Sequence, residues 1–220
     1  MKITEIYLQT SKSNELKDFY QNILGLEIQK TLQNSFVILT EKTKIFFEKA
    51  DSGNPFYHFA INIPSNKISE AHDWLQERVE LLWLHDYENH IADFQNWNAK
   101  SVYFKDPAGN IVELISRFDL KEDVGEKFSA KYFRSVSEIG LVFTDELFEK
   151  RVSEILSVYH LEYFSKQPPL NQFRAIGDDN GLFICVPENR PWYPTMDANS
   201  FAYPMKTFFE EKSITYRLEL

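Results

Sequence analysis

The chain has 220 residues, of which 43% are hydrophobic and 15% aromatic, and its 33 acidic and 24 basic side chains leave a net charge of −9. That length and apolar content suffice for one large domain or two small ones. The acidic balance excludes a nucleic-acid surface, which needs clustered Lys and Arg, and disfavours acidic partners.

A single cysteine, Cys185, cannot form an internal disulfide, which fits a reducing compartment, and it reads as a small buried hydrophobe rather than a nucleophile. The opening "MKITEIYLQT" lacks the apolar core and cleavage site of a signal peptide, and no apolar run approaches a membrane span. The expectation is a cytoplasmic, unanchored protein.

The first segment alternates with period two, as a strand does. A helix follows, capped by Ser13 or Asn14, with Leu16, Phe19, Tyr20, Ile23 and Leu24 on one stripe and Gly25 at its C-terminal end. The stretches "LEIQKT", "SFVILT" and "KIFFEK" predict three strands, so the unit is βαβββ. After the turn-rich "ADSGNP" the pattern restarts with the strand "YHFAINI" and a helix carrying Ile68, Ala71, Leu75 and Val79. "LLWLHDY" and two further strands in "SVYFKDPAGNIVELISR" complete a second unit. In that last stretch Asp106, Pro107, Ala108 and Gly109 match a type I turn, which sets Glu113 on one face with Ile111 and Ile115 and puts Val112 and Leu114 on the other.

A third restart comes at "SVSEIGLVF", followed by a helix with Leu147, Phe148, Val152, Ile155 and Leu156. Glu5 to Ile23 spans 18 residues and Glu138 to Ile155 spans 17, a near-match that argues for an internal repeat. The tail from Pro187 holds an aromatic-bearing loop, "ENRPWYPT", and one strand, "SITYRLEL", read as the remnant of a fourth unit or a flap. "KEDVGEK" reads as a linker. The expected organisation is α+β: units 1 and 2 over residues 1–118 pair into a curled mixed sheet, a half-open barrel around a cavity. A linker over 119–134 follows, and 135–220 hold the third unit and a partial fourth.

"FYQNILGLEI", "YHFAINI" and "VYFKDPAGNIVELI", each in its place in a βαβββ unit, resemble the vicinal oxygen chelate superfamily, which includes glyoxalase I, bleomycin-resistance proteins and extradiol dioxygenases. The resemblance covers residues 1 to about 117 and, more faintly, 135 to 187. It implies a cavity whose metal ligands lie on the first and last strands of paired units. It assigns those positions to Glu5, His58 and Glu113, with a fourth position falling on Phe47 or Glu48.

Glu5, His58 and Glu113 are residue types that bind a divalent cation: imidazole suits Zn, Ni and Fe, and carboxylates suit harder ions such as Mn. A glyoxalase-like reaction would use the metal to stabilise an enediolate or oxyanion, with Glu113 or Glu5 moving the proton. One His with two acids departs from the two-His, one-carboxylate pattern of ring-cleaving dioxygenases and favours lyase or isomerase chemistry on a small oxygenated molecule. Against this stand a solvated outer-face position for Glu5, and a third unit without a visible site: counted from Gly181 as Glu113 is from Gly109, the matching position is Cys185.

Tyr7, Phe46, Tyr57, Phe94, Trp97, Tyr103, Trp192 and Tyr193, with Glu48, are candidate lining for a cavity. The cluster His85, Asp86, Glu88 and His90 reads as a surface loop or pocket rim, His72 as packing beside Asp73, and His160 as a helix-exit residue. Two readings stand at this point: a metal-dependent enzyme, and a metal-free protein that sequesters a hydrophobic small molecule. Either is compatible with a homodimer formed through the third unit.

Overall fold

The computed structural model describes residues 1–30 and 35–220. Thirteen strands and three α-helices are defined among them. The first unit contains β1 (Lys2–Thr10), α1 (Ser13–Asp18), β2 (Glu27–Lys30), β3 (Phe36–Leu39) and β4 (Lys44–Lys49); the second contains β5 (His58–Ile63), α2 (Ile68–Gln76), β6 (Ala92–Phe94), β7 (Ala99–Lys105) and β8 (Ile111–Arg117). The third holds β9 (Ser135–Phe143), α3 (Asp145–Val158), β10 (Arg174–Asp178) and β11 (Gly181–Pro187), and a C-terminal hairpin of β12 (Met205–Glu211) and β13 (Ile214–Glu219) follows. The α+β class, the βαβββ repeat and the partial fourth unit are as expected. Thr31, the last residue of "LEIQKT", lies outside the described residues.

The units do not pair in the order expected. One sheet runs β13-β12-β1-β4-β3-β2, and the other runs β10-β11-β9-β5-β8-β7-β6. The second unit therefore joins the third, through the antiparallel pair β5 and β9, while β1 takes β12 of the terminal hairpin as its antiparallel partner. Period-two patterning shows that each first strand needs neighbours but does not say which unit supplies them. Every residue of β5 is buried, because both edges and both faces of this strand are covered.

The seven-stranded sheet has an internal two-fold relation. β8 runs parallel to β5 with Ile111 beside His58 and Glu113 beside Ala60, and β11 runs parallel to β9 with Leu182 beside Glu138 and Ile184 beside Gly140. One face carries Phe59, Ile61, Leu114, Ile139, Leu141 and Phe183 into the main core, where the three helices and the other sheet meet it. The opposite face, with Tyr103, Ile111, Leu182 and Ile184, is covered by Trp192 from the segment between β11 and β12.

Four local expectations are corrected. The first helix gives way to a wider π-type turn over Phe19–Ile23, which rotates Ile23 outward, 41% exposed, while Phe19, Tyr20 and Leu24 stay buried. Its N-terminus lies at Lys12, without a side-chain cap. "LLWLHDY" is not a strand: Leu81 and Leu84 make single bridges, to Phe104 and Asn89, and the first strand after the helix of that unit is β6. The segment 119–134 is packed against α2, with Phe128, Tyr132 and Phe133 buried and Trp74 edge-on to Phe128 at 5.6 Å. Among the described residues no helix is long and apolar enough to cross a membrane.

Candidate functional site

The turn before β8 sets the register of the site. Gly109 N–H donates to the Asp106 carbonyl at 2.9 Å with Gly109 at φ +88°, a conformation that favours glycine. The Asp106 carboxylate accepts the backbone N–H groups of Ala108 and Asn110, and also the hydroxyl of Tyr20 from the first unit. From this anchored start β8 alternates as expected, with Val112 and Leu114 in the main core and Ile111 and Glu113 on the other face.

There the structure brings His58 and Glu113 together, with His58 Nε2 and Glu113 Oε2 3.7 Å apart. Their third partner is Glu138, not Glu5: ligand atoms of His58, Glu113 and Glu138 all lie within 4.8 Å of one another, and all three residues are buried. Glu5 lies in the six-stranded sheet, where its carboxylate accepts the Tyr7 hydroxyl at 2.7 Å and faces Lys44. Because the second and third units pair, the first-strand acid that faces His58 belongs to the third. Counting from the turn glycine placed Cys185 opposite Glu113, but the strand register makes Ile184 the equivalent residue. Cys185 points into the main core, and burial pushes its thiol pKa up. A signal for Glu138 was present: it precedes Gly140 by two residues, as His58 precedes Ala60, and both small residues leave room on the site face.

His58 Nδ1 is 3.1 Å from the Ile111 carbonyl. Since a carbonyl only accepts, Nδ1 carries the proton and Nε2 offers its lone pair toward Glu113. Burial, and then the charge of Arg190, outweigh this bond and lower the His58 pKa to about 4. Burial, reinforced by the charge of Glu138, raises Glu113 to about 8, although Ser101 donates its hydroxyl to Oε1 and Arg117 pulls the other way. At neutral pH the two groups face each other uncharged and do not form an ion pair. Glu138 is also raised by burial and is held down by Arg117.

Arg117, the last residue of β8, was not among the sequence candidates. Its side chain is fully buried and donates to Glu138 Oε1 through Nη2, to the Ser137 hydroxyl at 2.9 Å and to Asp179 at 3.4 Å. The guanidinium lies near the rings of Trp97 and Phe164, 5.4 and 5.8 Å from their centroids. Lys166 closes the network by binding Asp179 and Asp119, both at 2.7 Å.

These groups open onto a cavity of about 280 Å³ walled by Phe94, Trp97, Tyr103, Trp192 and Tyr193, which were among the aromatics singled out, and by Ile184 and Arg190. The other aromatic candidates lie elsewhere. Tyr7 stacks on Phe46 at 4.1 Å beside Phe208, on the six-stranded sheet, with Glu48 exposed nearby and Phe47 in the core. Tyr57 donates to the Pro204 carbonyl. The His85–His90 stretch forms a surface turn closed between Leu84 and Asn89, with His90 near Trp83 and His72. His72 meets Asp73, and His160 adopts φ +54° just after α3. None of these histidines joins a second metal-type cluster among the described residues.

Trp192 fits this wall because residue 140 has no side chain. A Cβ there would lie 2.6 Å from the Trp192 ring and 3.3 Å from the His58 carbonyl. Gly140→Ala should therefore displace Trp192, cost about 1–3 kcal/mol of stability and shift the tryptophan emission. Urea unfolding and fluorescence check both, and an unchanged midpoint with unchanged emission would contradict the packing account.

As to chemistry, His58 Nε2 and one oxygen from each carboxylate match the donor types of a divalent-cation site. Two ligands at usual bond lengths stand up to about 4.2 Å apart, so the 3.7 Å pair already fits and small side-chain rotations would bring in Glu138. The bond from His58 Nδ1 to a carbonyl is the outer support that ligating histidines use.

No family model matches the chain, and no curated protein matches it. Solved structures do. A putative dioxygenase from Bacillus subtilis aligns over 100% of this chain and 84% of its own, at 14% identity and a TM-score of 0.59. Glyoxalase I from Zea mays aligns over 84% of this chain and 66% of its own, at 12% identity and a TM-score of 0.53. A lactoylglutathione lyase from Agrobacterium tumefaciens aligns over 51% of this chain and 90% of its own, at 22% identity and a TM-score of 0.40. At such identities the likeness is one of fold.

Proposed function

We propose, for a chain that has the paired βαβββ fold of the vicinal oxygen chelate superfamily, a metal-dependent enzyme of glyoxalase-like type acting on a small oxygenated organic molecule. The observation that carries this reading is the His58, Glu113 and Glu138 cluster at the wall of an aromatic-lined cavity. His58 and the two carboxylates would hold a divalent ion, and Zn, Ni, Mn and Fe all accept such donors. Bound there, the ion would supply Lewis-acid polarisation of substrate oxygens.

The chain's own groups account for the rest. His58 is fixed in one tautomer by Ile111, so its Nε2 needs no reorientation. Glu113 has a carboxyl whose pKa burial brings close to neutrality, which suits a group that takes a proton and returns it. Trp97, Trp192 and Tyr103 exclude water around it. One imidazole with two carboxylates supports lyase or isomerase chemistry over ring cleavage by non-haem iron.

A second reading, a metal-free binding protein for a small apolar molecule, draws on a different observation. Glu138 is already neutralised by Arg117, and Glu113 keeps its proton, so the cluster is balanced without an ion. Elemental analysis of the untreated protein separates the two. The enzyme reading expects about one divalent ion per chain. It also expects His58→Ala to weaken metal affinity by more than the 10–100-fold typical of losing an outer-shell partner. A metal-free protein whose ligand affinity is unchanged by chelator would decide for the second reading.

A further inference from the structure

One charged side chain on the cavity stands outside the ion-pair network. The other six arginines each have a carboxylate partner: Arg78, Arg117, Arg134, Arg151, Arg174 and Arg217. Arg190 has none among the described residues, in a chain whose net charge is −9. It is half-buried on the segment after β11 and lies over the Phe173 ring at 5.4 Å; its polar contact is a long one, from Nη1 to the Pro191 carbonyl at 3.4 Å. It faces the cavity, where its charge reaches His58.

Three residues further on, Tyr193 lines the same cavity, and its buried hydroxyl has no hydrogen-bond partner among the described residues. A buried polar group left unpaired costs about 1–3 kcal/mol, and a partly desolvated guanidinium without a counter-charge is also unfavourable. A guanidinium without a counter-charge and an unpaired hydroxyl, on one short segment at the wall of one cavity, call for an acceptor carrying negative charge. The planar fork of arginine matches a carboxylate.

The remaining lining sets what the acid is attached to. Phe94, Trp97 and Trp192 present aromatic surface, and the cavity of about 280 Å³ is nearly twice the roughly 150 Å³ apolar cavity that holds one benzene ring. It has room for one ring and a short side chain.

We propose that Arg190, with the Tyr193 hydroxyl, is the recognition site for a carboxylate on the substrate, and that the substrate class is a small ring-bearing monocarboxylic acid. The proposal rests on the cavity being the substrate site, as in the preceding reading. The acid group docks at Arg190, the ring lies against Trp97 and Trp192, and the far end reaches His58 and Glu113.

The test compares phenylacetate with its neutral counterpart, 2-phenylacetamide, by calorimetry and tryptophan quenching, using the full chain both as purified and after EDTA. Phenylacetate should bind at least about tenfold more tightly than the amide. Arg190→Gln should abolish the preference and Arg190→Lys should retain part of it. Equal affinity for the two probes in the wild-type protein, no saturable binding of phenylacetate, or a preference that survives Arg190→Gln overturns the assignment. The wild-type comparison needs no variant to fold. A carboxylate preference that persists in EDTA-treated protein supports the Arg190 site even if the metal reading fails, so the two failures are distinguishable.

Discussion

Replacing Arg117 by Met is expected to lower the unfolding free energy by about 3–5 kcal/mol, the cost of leaving a buried charge without its partner. Arg117 lies under Trp97 and Phe164 with its side chain fully buried, and it is the cation that Glu138 meets. Without it Glu138 must either stay ionised in an apolar surround or take up a proton, and Asp179 is left with Lys166. Arg117→Lys should recover part of the loss. An ammonium restores the charge but cannot reach Ser137, Glu138 and Asp179 together as the fork does. The double variant Arg117→Met with Glu138→Gln should be more stable than Arg117→Met alone, because the orphaned acid is then neutral. Urea midpoints of the wild type, Arg117→Met, Glu138→Gln and the double variant close the cycle. Additive losses would show that the pair is not coupled.

The second large effect is a fall in stability with rising pH. In protein kept free of metal by chelator, the unfolding free energy should drop between pH 6.5 and about 8 by about 1 kcal/mol per pH unit, near the limit for one proton. The folded chain holds the Glu113 proton up to about pH 8, chiefly through burial and then through the charge of Glu138, whereas the unfolded carboxyl ionises near its usual 4.5. The folded state thus binds a proton that the unfolded state has released. The stabilisation is whole below pH 4.5 and gone once pH passes the folded value. His58 works in the opposite sense: kept neutral down to about pH 4, it contributes stability that is present above 6.5 and lost as pH falls. Asp106, raised to about 6 by burial, completes its own loss below this window. Above about pH 7 His58 and Asp106 contribute little, and the slope belongs to Glu113 together with its neighbour Glu138, which burial also raises. Glu113→Gln should flatten it, and a flat wild-type profile would show that this carboxyl ionises normally.

The contrast between what could be read from the residues and what could not follows from range. Alternation and stripes are local, so β1, β5, β8, β9 and α3 were legible, as were the turn at Asp106–Gly109 and the face of Glu113. His58 was legible from its place at the head of β5. The choice of partner unit is long-range. β5 pairs with β9 rather than β1, and this exchange moved the third site position from Glu5 to Glu138. Arg117 and Arg190 were illegible for a related reason. Each gains its meaning from neighbours far along the chain, Glu138 and Asp179 in one case and, in the other, the absence of any carboxylate partner among the described residues.

The two-fold relation within the seven-stranded sheet bears on stereochemistry. Rotation carries His58 onto Glu138 but carries Glu113 onto Ile184, so one corner of the rectangle is hydrocarbon where the other three are polar. A fully symmetric rectangle would accept a ligand in two equivalent orientations. With three polar corners and one oily one, a ligand turned end for end no longer sees the same surroundings. Mirror-image ligands that offer the same oxygens to His58 and Glu113 must direct different substituents at Ile184. The single apolar corner thus fixes which way round a ligand lies in a cavity whose paired strands alone would allow two.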